Sequence, residues 1–299
     1  MSEKSLKTES GLSLYHPWVS FTYFVAVIAV TLLFIHPVFA AVSLCCAIFS
    51  AALINGRKSL FMTLGFGVPM FFFIALANPL FNHRGMTVLF YLFDNPVTLE
   101  AMIYGIVSAG MMFAAVVWFT SYNTVVTSDK FIYIFGRFLP SVALIVSMTL
   151  SLIPRLMAQI KVIADSQRSI GLDWKSGSIG QRIRSGARIL SILVSWALED
   201  AVITADSMRA RGYGQHKRST FSIFRFGKKD AKMLVLILVL FAVEIFAYIS
   251  GRGTMEFYPA MFFRKIDLID IIIYFSYITL GVLPAVIQIK EDLKWKQLK

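Results

Sequence analysis

The sequence predicts an all-α fold: a polytopic membrane helix bundle of about six spans with two long helices on the cytoplasmic side. Three observations carry this. Of 299 residues, 57% are hydrophobic and only 15% charged, against about 45–50% and about 25% in soluble domains. Mean hydropathy is +0.70. The apolar residues also gather into separate runs of spanning length, which need about 20 residues each. This composition excludes a soluble enzyme, a disordered chain and a coiled coil. The net charge of +12 fits basic cytoplasmic loops better than a nucleic-acid partner.

The polar start, Met1–Pro17, leads into the first run, Trp18–Ile35, with no cleavable leader in view. The second run, Pro37–Leu53, follows so closely that His36-Pro37 must be a tight hairpin. Cys45 and Cys46 sit in it as small apolar residues, with neither disulfide nor metal-ligand spacing. The third and fourth runs are Leu60–Ala77 and Thr98–Thr120, separated by a loop, Phe81–Pro96. Ala101, Gly105 and Ala109 recur every four residues in the fourth run, which predicts a face for close helix packing. Gly65 and Gly67 read likewise as helix packing. The fifth and sixth runs are Met233–Ser250 and Leu268–Ile287.

Orientation follows from Lys and Arg. With the N-terminus in the cytoplasm, only four of the 29 (Arg84, Arg252, Arg264 and Lys265) lie outside, as the positive-inside rule expects. Both termini are then cytoplasmic.

The chain divides at this stage into residues 1–120 (four spans), 121–232 (a cytoplasmic and interfacial region) and 233–299 (two spans and a tail). The middle region predicts two long helices. The first, Leu139–Arg168, is apolar at its start and mixed after Pro154; a shallow or re-entrant membrane segment at Leu139–Ile153 is compatible with it. The second, about Ser178–Arg211, is amphipathic, with Ile183, Ala187, Leu190, Val194, Ala197, Ala201, Thr204 and Met208 on one face. It stops at Gly212. A polar turn containing Lys175, Ser176 and Gly177 joins them.

Chemistry is sparse. There is no phosphate-cradling G-x-x-x-x-G-K-[ST] and no nucleophile or zinc motif. His16, His36, His83 and His216 lack metal partners at helical spacing, so structural roles are expected. No cofactor or metal is expected. Glu244 is the one ionisable residue deep in a run; Glu100 opens the fourth run, and Asp267 and Asp270 the sixth. For Glu244 a hydrogen bond to a neighbouring helix or a partner subunit is expected. That is a thin set for an ion-coupled carrier.

Three segments carry a resemblance: Asn78-Pro79-Leu-Phe-Asn-His-Arg-Gly85 with Met86–Phe90, Val97–Ala101, and Ser207-Met-Arg-Ala-Arg-Gly-Tyr-Gly214. Together they resemble the T component of energy-coupling factor (ECF) transporters, ABC-type importers of vitamins and of nickel or cobalt ions. The resemblance implies a non-catalytic membrane scaffold. Its expected partners are two ATP-binding-cassette ATPase subunits, a substrate-binding membrane S component and the lipid bilayer. It further implies that the two long helices are coupling helices, each ending in an Ala-Arg-Gly-like motif that docks an ATPase.

Ala210, Arg211 and Gly212 match that motif. At the first helix end the chain reads Ser169-Ile170-Gly171-Leu172-Asp173, with Ile170 in place of the Arg and Arg168 two positions earlier. Non-identical ATPase halves are the expectation that follows. Asn78, Pro79, Glu100 and Glu244 are candidates for structural or S-component-facing roles. A stand-alone membrane carrier or membrane enzyme with a regulatory insert is the other reading.

Overall fold

The computed structural model describes residues 11–92, 95–136, 138–172, 178–215, 224–259 and 267–297. Lys4, Lys7, Asp173, Lys175, Ser176, Gly177, His216, Arg264 and Lys265 lie outside them. Among the described residues a short 3-10 helix (Gly11–Leu14) precedes nine α-helices: α1 Pro17–Leu33, α2 Pro37–Ile54, α3 Gly56–Phe81, α4 Leu99–Val125, α5 Ser128–Gly136, α6 Pro140–Ser169, α7 Ile179–Ala210, α8 Lys228–Ile249 and α9 Leu268–Gln297. Two short antiparallel strands, β1 Val88–Leu92 and β2 Asn95–Thr98, lie between α3 and α4.

Among the described residues six helices are long and apolar enough to cross a membrane: α2, α4, α6, α8, α9 and α3 from Ser59. The set differs from the six runs in one member. Helix α1 has 17 residues, at the lower limit of spanning length, because the chain turns extended at Phe34 before His36-Pro37. Helix α6 meets the criterion by length and composition: the segment read as shallow or re-entrant is one continuous 30-residue helix that passes through Pro154.

The chain divides into two compact units, Met1–Phe131 with Phe224–Lys299, and Ile132–Ile223. In the first, α4 is the central column. It packs on α1, α2 and α3, while α8 and α9 close the bundle against α1 and α2. Trp118 of α4 is fully buried with Tyr23 and Phe24 of α1 against its edges. The polar groups beside Trp118 satisfy one another, as an apolar surround requires. Trp118 Nε1 donates to Ser43 Oγ at 3.1 Å, Thr31 pairs with Ser43 at 2.8 Å and with Tyr277 at 3.3 Å, and Tyr23 donates to the Leu280 carbonyl at 3.1 Å.

The small-residue face is where the sequence places it. Ala101, Gly105 and Ala109 are all buried. A Cβ on Gly105 would stand 2.8 Å from the Ala75 carbonyl oxygen and 3.0 Å from Asn78 Cβ of α3. The relation is reciprocal: a Cβ on Gly67 of α3 would stand 2.0 Å from the Phe113 ring of α4.

His16 and His36 are N-caps. Each precedes a proline that opens a helix, and each uses Nδ1 to accept from a helical N–H, Trp18 at 3.4 Å and Val38 at 3.2 Å. Proline at the first helical position costs no hydrogen bond, so His-Pro starts α1 and α2 alike.

In the second unit, α6 packs on α7. Their connection is short, and Arg155 in mid-α6 meets Asp200, late in α7, at 3.9 Å. The two helices therefore run back along one another. Ile163 and Ile189 are the buried residues of the two helices.

Candidate functional site, the two long-helix ends

Both long helices end in the same turn. At α6, Gly171 has φ +82°; its N–H donates to the Arg168 carbonyl at 3.0 Å and the Leu172 N–H to the Gln167 carbonyl at 2.9 Å. At α7, Gly212 has φ +77°; its N–H donates to the Arg209 carbonyl at 2.9 Å and the Tyr213 N–H to the Met208 carbonyl at 3.0 Å. Each is a Schellman arrangement, which takes up carbonyls the helix leaves open and needs glycine at the left-handed position. Within it Ile170 and Arg211 hold the same cap position, Ser169 matches Ala210, and Arg168 matches Arg209. Ile170 is 66% exposed, and Arg211 is exposed too.

This correspondence answers a question the sequence left open. Helix α6 stays helical through Ser169, so Arg168 does not move into the place of the missing arginine. It is the counterpart of Arg209. The structural match also reveals a repeat overlooked in the sequence: Asp165, Ser166, Arg168 and Gly171 recur at the same spacing as Asp206, Ser207, Arg209 and Gly212. A search for spaced identities, rather than for the three-residue motif, finds it.

The two ends are far apart. Helix α7 has 32 residues, a length of about 48 Å. Since α7 starts near the end of α6 and runs back along it, Ile170 and Arg211 lie at opposite ends of the helix pair.

The apolar face of α7 is divided. Ile189, Leu193, Trp196, Ala197, Thr204 and Met208 are buried or half-buried. Ile183, Leu190 and Val194, on the stripe the sequence picked out, stay exposed, as do Ile179 and Leu198. Successive residues are turned by about 100° on a helix: in the first part of α7 the covered line, Ile189, Leu193 and Trp196, lies one position off the sequence stripe, whereas Ala197, Thr204 and Met208 of that stripe are half-buried in the second part. The α6 residues Val142, Ile145 and Ile153 are uncovered as well.

The remaining candidates sit inside the bundle unit. Asn78 and Pro79 belong to the last turn of α3 rather than to a loop, and helix α3 runs on to Phe81. Glu100 is 2% exposed; it accepts from Thr87 N at 3.2 and 3.3 Å and from Thr87 Oγ1 at 2.8 Å. Its place in the first turn of α4 suits a carboxylate. Glu244 is fully buried, so it faces no outside partner, and neither of its oxygens has a hydrogen bond among the described residues. The Ser276 hydroxyl of the neighbouring helix α9 stands beside its carboxyl, where the expected helix-to-helix bond would form, but outside strict hydrogen-bond geometry. That hydroxyl, also buried, is likewise without a hydrogen bond among the described residues.

No cluster of three or more His, Cys, Asp or Glu able to hold a metal occurs among the described residues.

Comparison with known proteins adds the family. Residues 13–222, more than two thirds of the chain, match the CbiQ family, described as cobalt transport protein. The energy-coupling factor transporter transmembrane protein EcfT of Listeria innocua is 29% identical over 204 residues, covering 60% of this chain and 77% of that protein. Its Bacillus subtilis namesake is 32% identical over 105 residues, 35% of this chain and 40% of that protein. The MG181 homolog of Mycoplasma pneumoniae is 30% identical over 115 residues, 38% of this chain. The match spans only 26% of that longer relative. Six long apolar helices, two matching helix ends and these similarities lead to one assignment: the chain belongs to the CbiQ family, that of the ECF transporter T components.

Proposed function

We propose that the chain is the non-catalytic scaffold of an ECF-type importer in the cell membrane, with α1 as the sixth span beside α2, α3, α4, α8 and α9, and with α6, α7 and both termini on the cytoplasmic side. It joins two ATP-binding-cassette ATPases to a substrate-binding S component, which brings in a vitamin or a transition-metal ion. ATP hydrolysis belongs to the ATPases and substrate choice to the S component.

The observation that carries this reading is the pair of matching helix ends, exposed at opposite ends of one helix pair. Two ATPase grooves need two docking points, and Ile170 and Arg211 supply them. Arg211 offers a planar fork of donors suited to a carboxylate, in the last turn of a helix where a cation is favoured. Ile170 offers an apolar anchor instead, so the two ATPases bind unlike ends. The uncovered part of the α7 stripe and the apolar start of α6 are the surfaces we assign to the S component and the membrane.

The test is co-expression with candidate ATPase and S subunits. The chain should purify with both ATPases, and only the assembled complex should hydrolyse ATP. Failure to associate, or substrate uptake by the chain alone, would sink the proposal. In intact cells a cysteine placed at Asn82 should react with an impermeant reagent; protection there would reverse the topology.

A further inference from the structure

The hairpin β1–β2 presents an apolar surface that no part of the bundle uses. Met86, Val88, Leu89, Phe90 and Tyr91 are all exposed, Tyr91 to 70%. A two-stranded hairpin is marginal in water by itself, and one with so many apolar side chains in water is worse placed still. Yet this hairpin is not loose at its root. Glu100 holds Thr87. The Thr98 hydroxyl donates to the Arg84 carbonyl at 2.9 Å. The Leu99 N–H donates to the Thr87 carbonyl at 3.0 Å. Gly85, at φ +148°, leaves no room for a Cβ beside Glu100 and Thr98. Asn82 Nδ2 donates to Tyr258 OH at 2.9 Å. So the apolar residues are held out from the bundle on a fixed base.

We propose that this hairpin is an interfacial anchor, with Leu89, Phe90 and Tyr91 seated in the lipid surface where α3 leaves the membrane and α4 enters it. Three features name lipid as the occupant. The exposed apolar side of α3, through Phe73, Leu76, Leu80 and Phe81, leads directly into the hairpin, so the surface continues a lipid-facing one. Aromatic side chains such as Phe90 and Tyr91 favour the membrane–water boundary. The strand edges carry open backbone groups, which bar the hydrocarbon interior but are satisfied among headgroups and water. The register shift between Val88 and Phe90 makes Leu89 a bulged residue, and a bulge twists an edge away from strand pairing with another chain. That argues against a second copy as the occupant. The inference requires only that α3 and α4 span the membrane, so it does not depend on the ATPase partnership.

The test is spin labelling of the full chain. In a Cys45→Ser, Cys46→Ala background, single cysteines replace Leu89, Phe90 or Tyr91 in turn, with Phe73→Cys as the lipid-facing control. The labelled chain is reconstituted at low density into phosphatidylcholine vesicles, and collisions with oxygen and with a water-soluble nickel chelate are measured. The expected result is oxygen collision exceeding nickel collision at all three hairpin sites, less strongly than at Phe73. Nickel collision dominating would place the hairpin in water and overturn the proposal. Protection from both reagents would mean that another protein surface covers it, and would overturn it equally. Because the three sites are exposed, each variant reads out independently if another folds poorly.

Discussion

Arg211 and Ile170 occupy one position in two copies of the same turn: each is the cap residue directly before a glycine of positive φ, and each leaves the closing hydrogen bonds to the backbone. The backbone is shared and the side-chain chemistry is opposite. That contrast sets the first two predictions.

Arg211→Ala should loosen the complex with the ATPases. Removing one member of a buried charge pair costs about 2–5 kcal/mol. Arg211→Lys should restore binding only in part, as it keeps the charge and loses the fork. Co-purification and transport by the three forms check this; equal yields from all three would remove Arg211 from the interface.

Ile170→Asp should impair assembly, while Arg168→Ala should have little effect, because Arg168 corresponds to Arg209 and not to Arg211. Comparing ATPase retention by the two variants decides the matter. If Arg168→Ala matched the severity of Arg211→Ala, the correspondence of the two helix ends would carry no functional weight.

Glu244→Met should raise the unfolding temperature of the detergent-solubilised chain. A buried polar group that makes no well-formed hydrogen bond costs about 1–3 kcal/mol; Glu244 has only the imperfectly placed Ser276 hydroxyl beside it, and an unbranched apolar side chain of similar length removes that cost. A fall of several degrees would show that the carboxyl makes a contact the bundle depends on.

Acidification should weaken the starts of α1 and α2. Burial holds the His16 imidazole below its ordinary pKa, with Asp230 opposing in part, and burial does the same to His36. Each Nδ1 caps its helix only while unprotonated. A lowered folded-state pKa means the unfolded chain takes up protons first. The contribution is therefore present above about pH 6.5, the unperturbed value, and is lost as pH falls through the lower folded value. The variant His16→Asn, His36→Asn keeps a capping side chain and should lose less thermal stability between pH 7.5 and pH 5. Equal loss in both proteins would clear the histidines.

Much of this was legible in the sequence because it rests on local signals. Apolar runs gave most of the spans, glycine marked the end of the second long helix, and the spacing of Ala101, Gly105 and Ala109 gave a close helix contact. What was not legible depends on tertiary partners. The amphipathic pattern of α7 shows one stripe, but only its second part, Ala197, Thr204 and Met208, is half-covered; in the first part the covered line runs one position away, so Ile189 is buried and Ile183 is not. The His-Pro caps require knowing where a helix begins to the residue. The hairpin hides in a connection where Val88–Leu92 is apolar enough for a strand yet too short for its period to show. The likeness of the two helix ends was masked by the two residues, Ser169 and Ile170, that differ from the motif sought.

The reciprocal notches between α3 and α4 bear on how the bundle can move. Gly67 receives the Phe113 ring, and Gly105 receives the Ala75–Asn78 stretch, one seat toward each end of the pair. Sliding α3 along α4 would move the notch at Gly67 away from Phe113 and press that ring against Leu64 or Phe71, which lie three and four residues away on the same face. Translation along their shared axis is therefore blocked, as with a beam pinned at two points. Any displacement this chain undergoes in a working cycle has to carry α3 and α4, and the hairpin rooted on Glu100, as a single piece.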